Sequence, residues 1–370
     1  MSRNTAKDIL IFAEDPGAAN CVAALPEALA RRGVTSWLLS NGLATGWLAQ
    51  RGILPGVEAG NATAEEVLDC CSPRLALVGT AENRDTLGLH LVAEARRRGI
   101  VTAGIVDARP NADRRFKGRA DHPLAFAPDW LLLPDGWTRD AFVGLGYPRD
   151  SAIVVGNPHY DHVVATAIRL DIEGRDAIKR RTLPACPDGR KVLVFATEGS
   201  MRVLSAYSEK PVAACRTEVV LQVFLRAVRG IAPRPYLVLR LHPKDMPEDY
   251  QDYLPAFEAV SAGGSPLELA FAADVVVGLT SMLLRETAML GTPAVSVVPN
   301  AEERDLLADG AEGITGCPAT EADLGRTLAR TLTVPSRPLP KTGSRAVDRA
   351  VEVLAGLLQK SRLPQSVDSP

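Results

Sequence analysis

Two largely apolar runs, Ala273 to Val277 and Ala294 to Val298, flank the stretch Gly278-Leu-Thr-Ser-Met-Leu-Leu-Arg-Glu-Thr-Ala-Met-Leu-Gly291-Thr-Pro293. Short β-branched runs bounded by Gly and Pro read as buried strands. The periodic segment between them, stopped by Gly291, reads as a helix. A strand, a tight polar turn, a helix and a second strand form a βαβ unit, whose helix N-terminus offers unpaired N–H groups and a partial positive charge. The turn is therefore a candidate phosphate site. Thr280 or Ser281 caps the helix through its hydroxyl or contacts a phosphate oxygen, Met282 opens the helix, and Glu286 lies one to two turns in, within reach of a ribose hydroxyl. Together these residues suggest a nucleotide. The same pattern also describes an ordinary βαβ unit with a hydroxyl cap.

The alternation extends along the chain. Asp8 to Ala13, Val34 to Leu39, Leu75 to Gly79, Val101 to Val106, Leu131 to Leu133 and Ile153 to Val155 are apolar strand candidates, separated by helical segments such as Ala18 to Arg32 and Asp85 to Arg98. A second series runs through Val192 to Ala196, Val219 to Arg229, Tyr236 to Leu241, Val275 to Val277 and Ala294 to Val298. Continuous apolar strands alternating with helices imply parallel sheets covered on both faces, hence an α/β fold of two Rossmann-like, doubly wound domains. A length of 370 residues fits two such cores. The expected layout is a first domain over 1–165, a linker over 166–190 ending in Pro184-Ala-Cys-Pro-Asp-Gly189, a second domain over 191–340, a helix within 341–360 and a disordered tail over 361–370. Two such domains are expected to face a central cleft at the carboxyl ends of their strands, where sheets of this kind bind ligands.

A net charge of −2 gives no reason to expect nucleic acid as partner, so any anion must be met locally. The cysteines (Cys21, Cys70, Cys71, Cys186, Cys215, Cys317) lack CxxC spacing and read as reduced thiols of a cytoplasmic protein. The apolar run after the N-terminus is too short for a signal peptide or a membrane span, so any membrane process would be served peripherally, from the cytosol.

His242-Pro243-Lys244-Asp245 follows the strand candidate Tyr236 to Leu241. His242 and Lys244 can donate to a diphosphate, and His242 can protonate a leaving phosphate; a solvated turn is the plainer alternative. Glu198 and Gly199, in Thr197-Glu-Gly-Ser200, suit close approach of backbone to a ligand. Neither GxGxxG nor GxxxxGK[ST] is present, which argues against hydride transfer and against an ATPase. In the first domain Glu14 and Asp15 adjoin Pro16, Gly17 and Asn20. Either carboxylate can take a proton from an acceptor hydroxyl, unless Asp15 simply caps the helix behind Pro16. Asp107 is a further carboxylate candidate, and the segment from Arg109 to Phe116 brings cations to an acidic acceptor or is a charged loop. His159-Tyr-Asp161-His162 lacks a third ligand at metal-site spacing and reads as a helix start, so no metal is expected.

In order along the chain, Gly79-Thr80-Ala-Glu82, Val106-Asp107 with Asn111 and Arg115-Phe116, Val155-Gly156-Asn157-Pro158-His-Tyr-Asp161, His242-Pro243-Lys244 and Gly278-Leu-Thr280-Ser281 through Glu286 to Gly291-Thr-Pro293 resemble landmarks of bacterial GT-B proteins of capsule and surface-polysaccharide synthesis. That group lies near the UDP-N-acetylglucosamine 2-epimerase-like and CDP-glycerol transferase families. The resemblance spans roughly residues 8 to 300. It implies a metal-independent glycosyltransferase without cofactor, taking a UDP- or CMP/CDP-type nucleotide-sugar to a glycan or small-molecule hydroxyl. Donor residues would be Glu198, Gly199, His242, Lys244, Thr280, Ser281, Met282 and Glu286. Gly17, Asn20 and Asp107 would lie on the acceptor side, and Glu14, Asp15 and His242 would be catalytic. Bacterial sialyltransferases also carry an acidic pair before glycine, but here Pro16 intervenes. The 2-epimerases show a Ser-Gly-Gly turn where this chain has Thr280-Ser281-Met282, which weighs against epimerisation. The alternatives are a 2-epimerase or hydrolase of the same fold, and a non-catalytic nucleotide-binding protein of a biosynthetic complex.

Overall fold

A computed structural model describes residues 6–53, 57–81, 83–200, 216–299, 313–333 and 345–360. Glu82, Cys215, the proline-rich segment 334–340 and the tail 361–370 lie outside them. The chain divides into two compact units, Met1–Asp161 with Gly343–Pro370, and His162–Thr342.

In the first unit the described strands are β1 (Ile9–Ala13), β2 (Ser36–Ser40), β3 (Val57–Glu58), β4 (Leu75–Gly79), β5 (Val101–Ile105), β6 (Trp130–Leu133) and β7 (Ala152–Val154), ordered β3-β2-β1-β4-β5-β6-β7. Every pairing is parallel. Strand β1 shows why: alternate side chains enter opposite layers, Ile9, Ile11 and Ala13 into one core and Leu10 and Phe12 into another. The first core includes Ala350, Val351 and Leu354 of the C-terminal helix Ala346–Lys360, so this helix completes the first unit. It is tied down by Arg74 donating to the Leu358 carbonyl (2.5 Å), by the Val347 N–H donating to Asp161 (2.9 Å) and by Arg349 donating to the Val155 carbonyl (2.8 Å).

The second unit carries β8 (Val192–Ala196), β9 (Tyr236–Arg240), β10 (Ala259–Ser261), β11 (Val275–Gly278), β12 (Ala294–Val298) and β13 (Ile314–Pro318), ordered β10-β9-β8-β11-β12-β13 and again parallel. In both sheets the order runs outward from a central pair, β1/β4 and β8/β11. Crossovers leave in opposite directions there, opening a crevice beyond the carboxyl ends of the strands.

The structure departs from the sequence reading in its first helical segment and in three edge strands, β3, β10 and β13, that the reading did not include. The segment 18–32 is two helices, Pro16–Val22 and Leu25–Ala30, rather than one. Pro26 lacks an N–H, and its ring would clash with the carbonyl of residue 22, where the first helix stops. The stretch read as a polar, helical linker holds the helices Pro158–Glu173, which runs through the division between units, and Arg175–Thr182.

Candidate functional site

In the second unit three neighbouring strands, β9, β8 and β11, end in the segments that carry the candidate donor residues. The Thr197 N–H continues the ladder to the Arg240 carbonyl (2.9 Å), and the Thr197 hydroxyl accepts from the His242 N–H (2.7 Å) while donating to the Asp245 carboxylate (2.7 Å). Asp245 also accepts from the Ser200 N–H (2.7 Å) and the Tyr250 hydroxyl (3.0 Å). Gly199, at φ +115°, supplies the turn that aims the Ser200 N–H back at this carboxylate, a conformation L side chains rarely adopt. The Lys244 N–H donates to His242 Nδ1 (3.2 Å), which places the proton of a neutral His242 ring on Nε2.

Across the β8/β11 switch point, both the N–H (2.8 Å) and the hydroxyl of Thr280 donate to the Glu198 carboxylate. Thr280 therefore meets an anion supplied by its own chain. Ser281 is the N-cap of the helix Met282–Met289, its hydroxyl accepting from the Leu283 N–H (3.2 Å), and Glu286 is buried on the second turn. Burial holds the Arg240 guanidinium below its usual pKa, opposed by the negative charge of Glu286. Sequence reasoning missed Thr197, Ser200, Asp245 and Tyr250 as a set, although Asp245 stands in the quoted HPKD string.

In the first unit Glu14 and Asp15 leave β1, and Asp15 holds the N-cap position of the helix Pro16–Val22 without a side-chain capping bond. A Cβ on Gly17 would fall 2.0 Å from Asp107 Oδ2, so only glycine lets this helix start meet the carboxylate at the end of β5. Asp107 accepts from buried Arg115 (2.7 Å), which also donates to the Thr80 hydroxyl (2.8 Å) and to the carbonyls of Ala108 (3.1 Å) and Pro110 (3.2 Å). Arg109 donates to Asp135 (2.7 Å). The arginines of 109–116 that are buried are thus engaged within the unit. The Asn157 amide donates to the Asp107 carbonyl (2.8 Å) and its oxygen accepts from the His159 N–H (2.9 Å) and from Cys21 (3.4 Å). Burial, then the charge of Asp107, pushes the Cys21 thiol well above its ordinary range. Asn20 points elsewhere: its oxygen accepts from Trp47 Nε1 (2.8 Å) and Arg51 (2.5 Å), which fixes the helix Leu43–Gln50.

Glu14 and Asn41, at the exits of β1 and β2, border a surface cavity of about 670 Å³ that reaches His90, Glu94 and Arg97 on the helix Leu87–Arg97. Hydrogen bonds from Arg97 and Arg98 hold the Glu94 carboxyl down to about 2 from its ordinary 4.5. A carboxylate with a depressed folded-state pKa stabilises the fold above its unfolded value, and that contribution disappears as pH falls through the folded one. Glu94→Gln should therefore lower the melting temperature at neutral pH and flatten the acid limb of its pH profile, so that variant and wild type converge as pH falls from about 4.5 to about 2. Among the described residues no group of three or more His, Cys, Asp and Glu is placed to hold a metal ion, none of the cysteines forms a disulfide, and no helix is long and apolar enough to cross a membrane.

No family model matches the sequence, and no curated protein matches it. Solved structures do. UDP-GlcNAc 2-epimerase from Neisseria meningitidis, bound to UDP-GlcNAc, is 16% identical over 94% of this chain and 99% of its own, with a TM-score of 0.69. The 2-epimerase from Methanocaldococcus jannaschii is 14% identical over 94% and 99%, with a TM-score of 0.67. The wall teichoic acid polymerase TagF, as its H444N variant with CDPG, is 13% identical over 98% and 92%, with a TM-score of 0.58. The fold is GT-B. In this GT-B chain the first Rossmann-like unit recruits the C-terminal helix, and the second carries the Thr280–Glu198 contact and the Asp245 hub.

Proposed function

We propose that this chain is a nucleotide-sugar-dependent glycosyltransferase that works without a divalent ion. The observation that carries the proposal is that His242 and Lys244 follow β9 and Thr280 and Ser281 follow β11, with only β8 and the 197–200 turn between them at the switch point, and that Glu286 lies on the helix that opens after β11. His242 Nε2–H and the Lys244 ammonium would hold the donor phosphates and stabilise the one that departs. Ser281 and Met282 would add the helix N-terminus, and Glu286 would take a ribose hydroxyl. Glu198 and Gly199 border the same site. Acceptor-side chemistry falls to the first unit. Glu14 and Asp15, at the exit of β1 and the start of the helix Pro16–Val22, are the proposed bases. A structural neighbour bound to UDP-GlcNAc supports a nucleotide diphosphate as the ligand.

A thermal-shift panel of UDP, CMP, CDP, GDP and dTDP tests the first half. A preferred nucleotide at about 100 times its Kd stabilises the fold by roughly 2.7 kcal/mol. Glu286→Ala should weaken that nucleotide about tenfold in calorimetry, the scale of one lost charge-assisted hydrogen bond. Equal affinity would remove Glu286 from the site.

The 2-epimerase reading gains weight from the coverage of the Neisseria meningitidis and Methanocaldococcus jannaschii 2-epimerase structures, 99% of the length of each. Incubation with UDP-GlcNAc alone separates the two. A transferase releases little UDP without an acceptor, whereas an epimerase or hydrolase turns its substrate over.

A further inference from the structure

We infer that Asp245 is the positioning residue of the nucleotide site, an inference that rests on the reading above. Asp245 is 9% exposed, and the partners described for its carboxylate are all neutral: the hydroxyls of Thr197 and Tyr250 and the N–H of Ser200. A carboxylate taken out of water is costly, and neutral donors recover only part of that cost. What it achieves is geometric. One oxygen holds the end of the 197–200 turn through Ser200, and the other holds its start through Thr197. Because the Thr197 hydroxyl also accepts from the His242 N–H, the constraint passes to the histidine that follows β9. Through Glu198, on the same turn, it passes to Thr280 at the exit of β11.

Segments separated by 45 to 82 residues in sequence are thereby locked to one carboxylate. Electrostatic recognition of a diphosphate depends on donors being oriented before the ligand arrives, since reorienting them costs binding energy. Asparagine fits the same space but breaks the arrangement. Its oxygen can still accept from Ser200, while its amide presents hydrogens to Thr197 and Tyr250, so the Thr197 hydroxyl, already an acceptor for His242, loses the acceptor for its own proton. Tyr250→Phe is the control. It removes a bond to the same carboxylate from the turn Pro247–Tyr250 without touching either loop.

Calorimetric titration with UDP and with CDP, alongside melting temperatures without ligand, tests the inference. Both variants should melt somewhat lower than wild type, but only Asp245→Asn should bind the preferred nucleotide about tenfold more weakly. Equal affinity in wild type and Asp245→Asn overturns the inference and leaves the nucleotide reading standing. Parallel losses in the two variants reduce Asp245 to a purely structural role and also overturn it. If Asp245→Asn does not fold, Thr197→Val, which cuts the links to Asp245 and His242 together, must show the tenfold loss instead. If the wild-type chain binds none of UDP, CMP, CDP, GDP and dTDP, the functional reading falls and takes the inference with it.

Discussion

Arg115→Ala is expected to destabilise the first unit by about 3–5 kcal/mol, the range for removing one partner of a buried ion pair. Arg115 has 4% of its side chain exposed and its partner Asp107 has 21%, so solvent screens little of their attraction. The loss goes beyond the pair. The guanidinium also donates to the Thr80 hydroxyl and to the carbonyls of Ala108 and Pro110, groups left with poor access to water once the side chain is gone. A lysine could satisfy only part of that set, because its donors radiate from a single atom and the guanidinium fork does not. Arg115→Lys should therefore recover a minor share of the lost stability. The measurement is straightforward here: all four tryptophans, Trp37, Trp47, Trp130 and Trp137, belong to the first unit, so tryptophan fluorescence during urea unfolding reports on it selectively. A fluorescence midpoint within error of wild type would show that the Arg115 cluster is dispensable.

The central strands were legible in the sequence because they are buried on both faces. Leu75–Gly79 and Val192–Ala196 are each written as one uninterrupted apolar run, Ala294–Val298 is broken only by Ser296, and each is a strand with those bounds. The strands β3, β10 and β13 escaped notice for the complementary reason. They lie at sheet edges, and β10 and β13 are short or polar and partly exposed, with Ala259-Val-Ser261 and Ile314-Thr-Gly-Cys-Pro318 offering no apolar run to find. The same logic divides the candidate site. His242, Lys244 and Thr280 stand out because each sits just past a recognisable strand, where α/β sheets bind ligands, and Glu286 because it lies on the helix that follows one. Local pattern carries no information about partners far along the chain. It could not reveal that Glu198 accepts from Thr280, 82 residues on, or that Asn20 is held by Trp47 and Arg51. Polar residues at strand exits look alike in sequence whether they meet a ligand or one another.

Phe224→Ala is the corresponding expectation for the second unit, at about 3–5 kcal/mol for an aromatic deleted from a packed core. Phe224 is fully buried on the helix Arg216–Ala227, with its ring 5.2 Å from Phe195 and 6.4 Å from Phe257. Those pairings add roughly 0.5–1.5 kcal/mol each beyond the area they bury. In a unit of this size the melting temperature should fall on the order of 10 °C. Circular dichroism, which sees both units, should register the fall. Tryptophan fluorescence should not, since this core and the tryptophans belong to different units. The position of Phe195 gives the substitution a second consequence. Phe195 precedes Ala196, the last residue of β8, and the next residue is Thr197, whose hydroxyl meets both Asp245 and His242. A void behind Phe195 lets the end of β8 relax toward it, and the polar network beyond has little slack because its hydrogen bonds are already near optimal length. Nucleotide affinity should then drop along with stability in Phe224→Ala, while Phe224→Leu, which refills most of the volume, restores both. A Phe224→Ala protein that is destabilised yet binds UDP or CDP as tightly as wild type would mean that the packing under β8 and the arrangement at its exit are set independently.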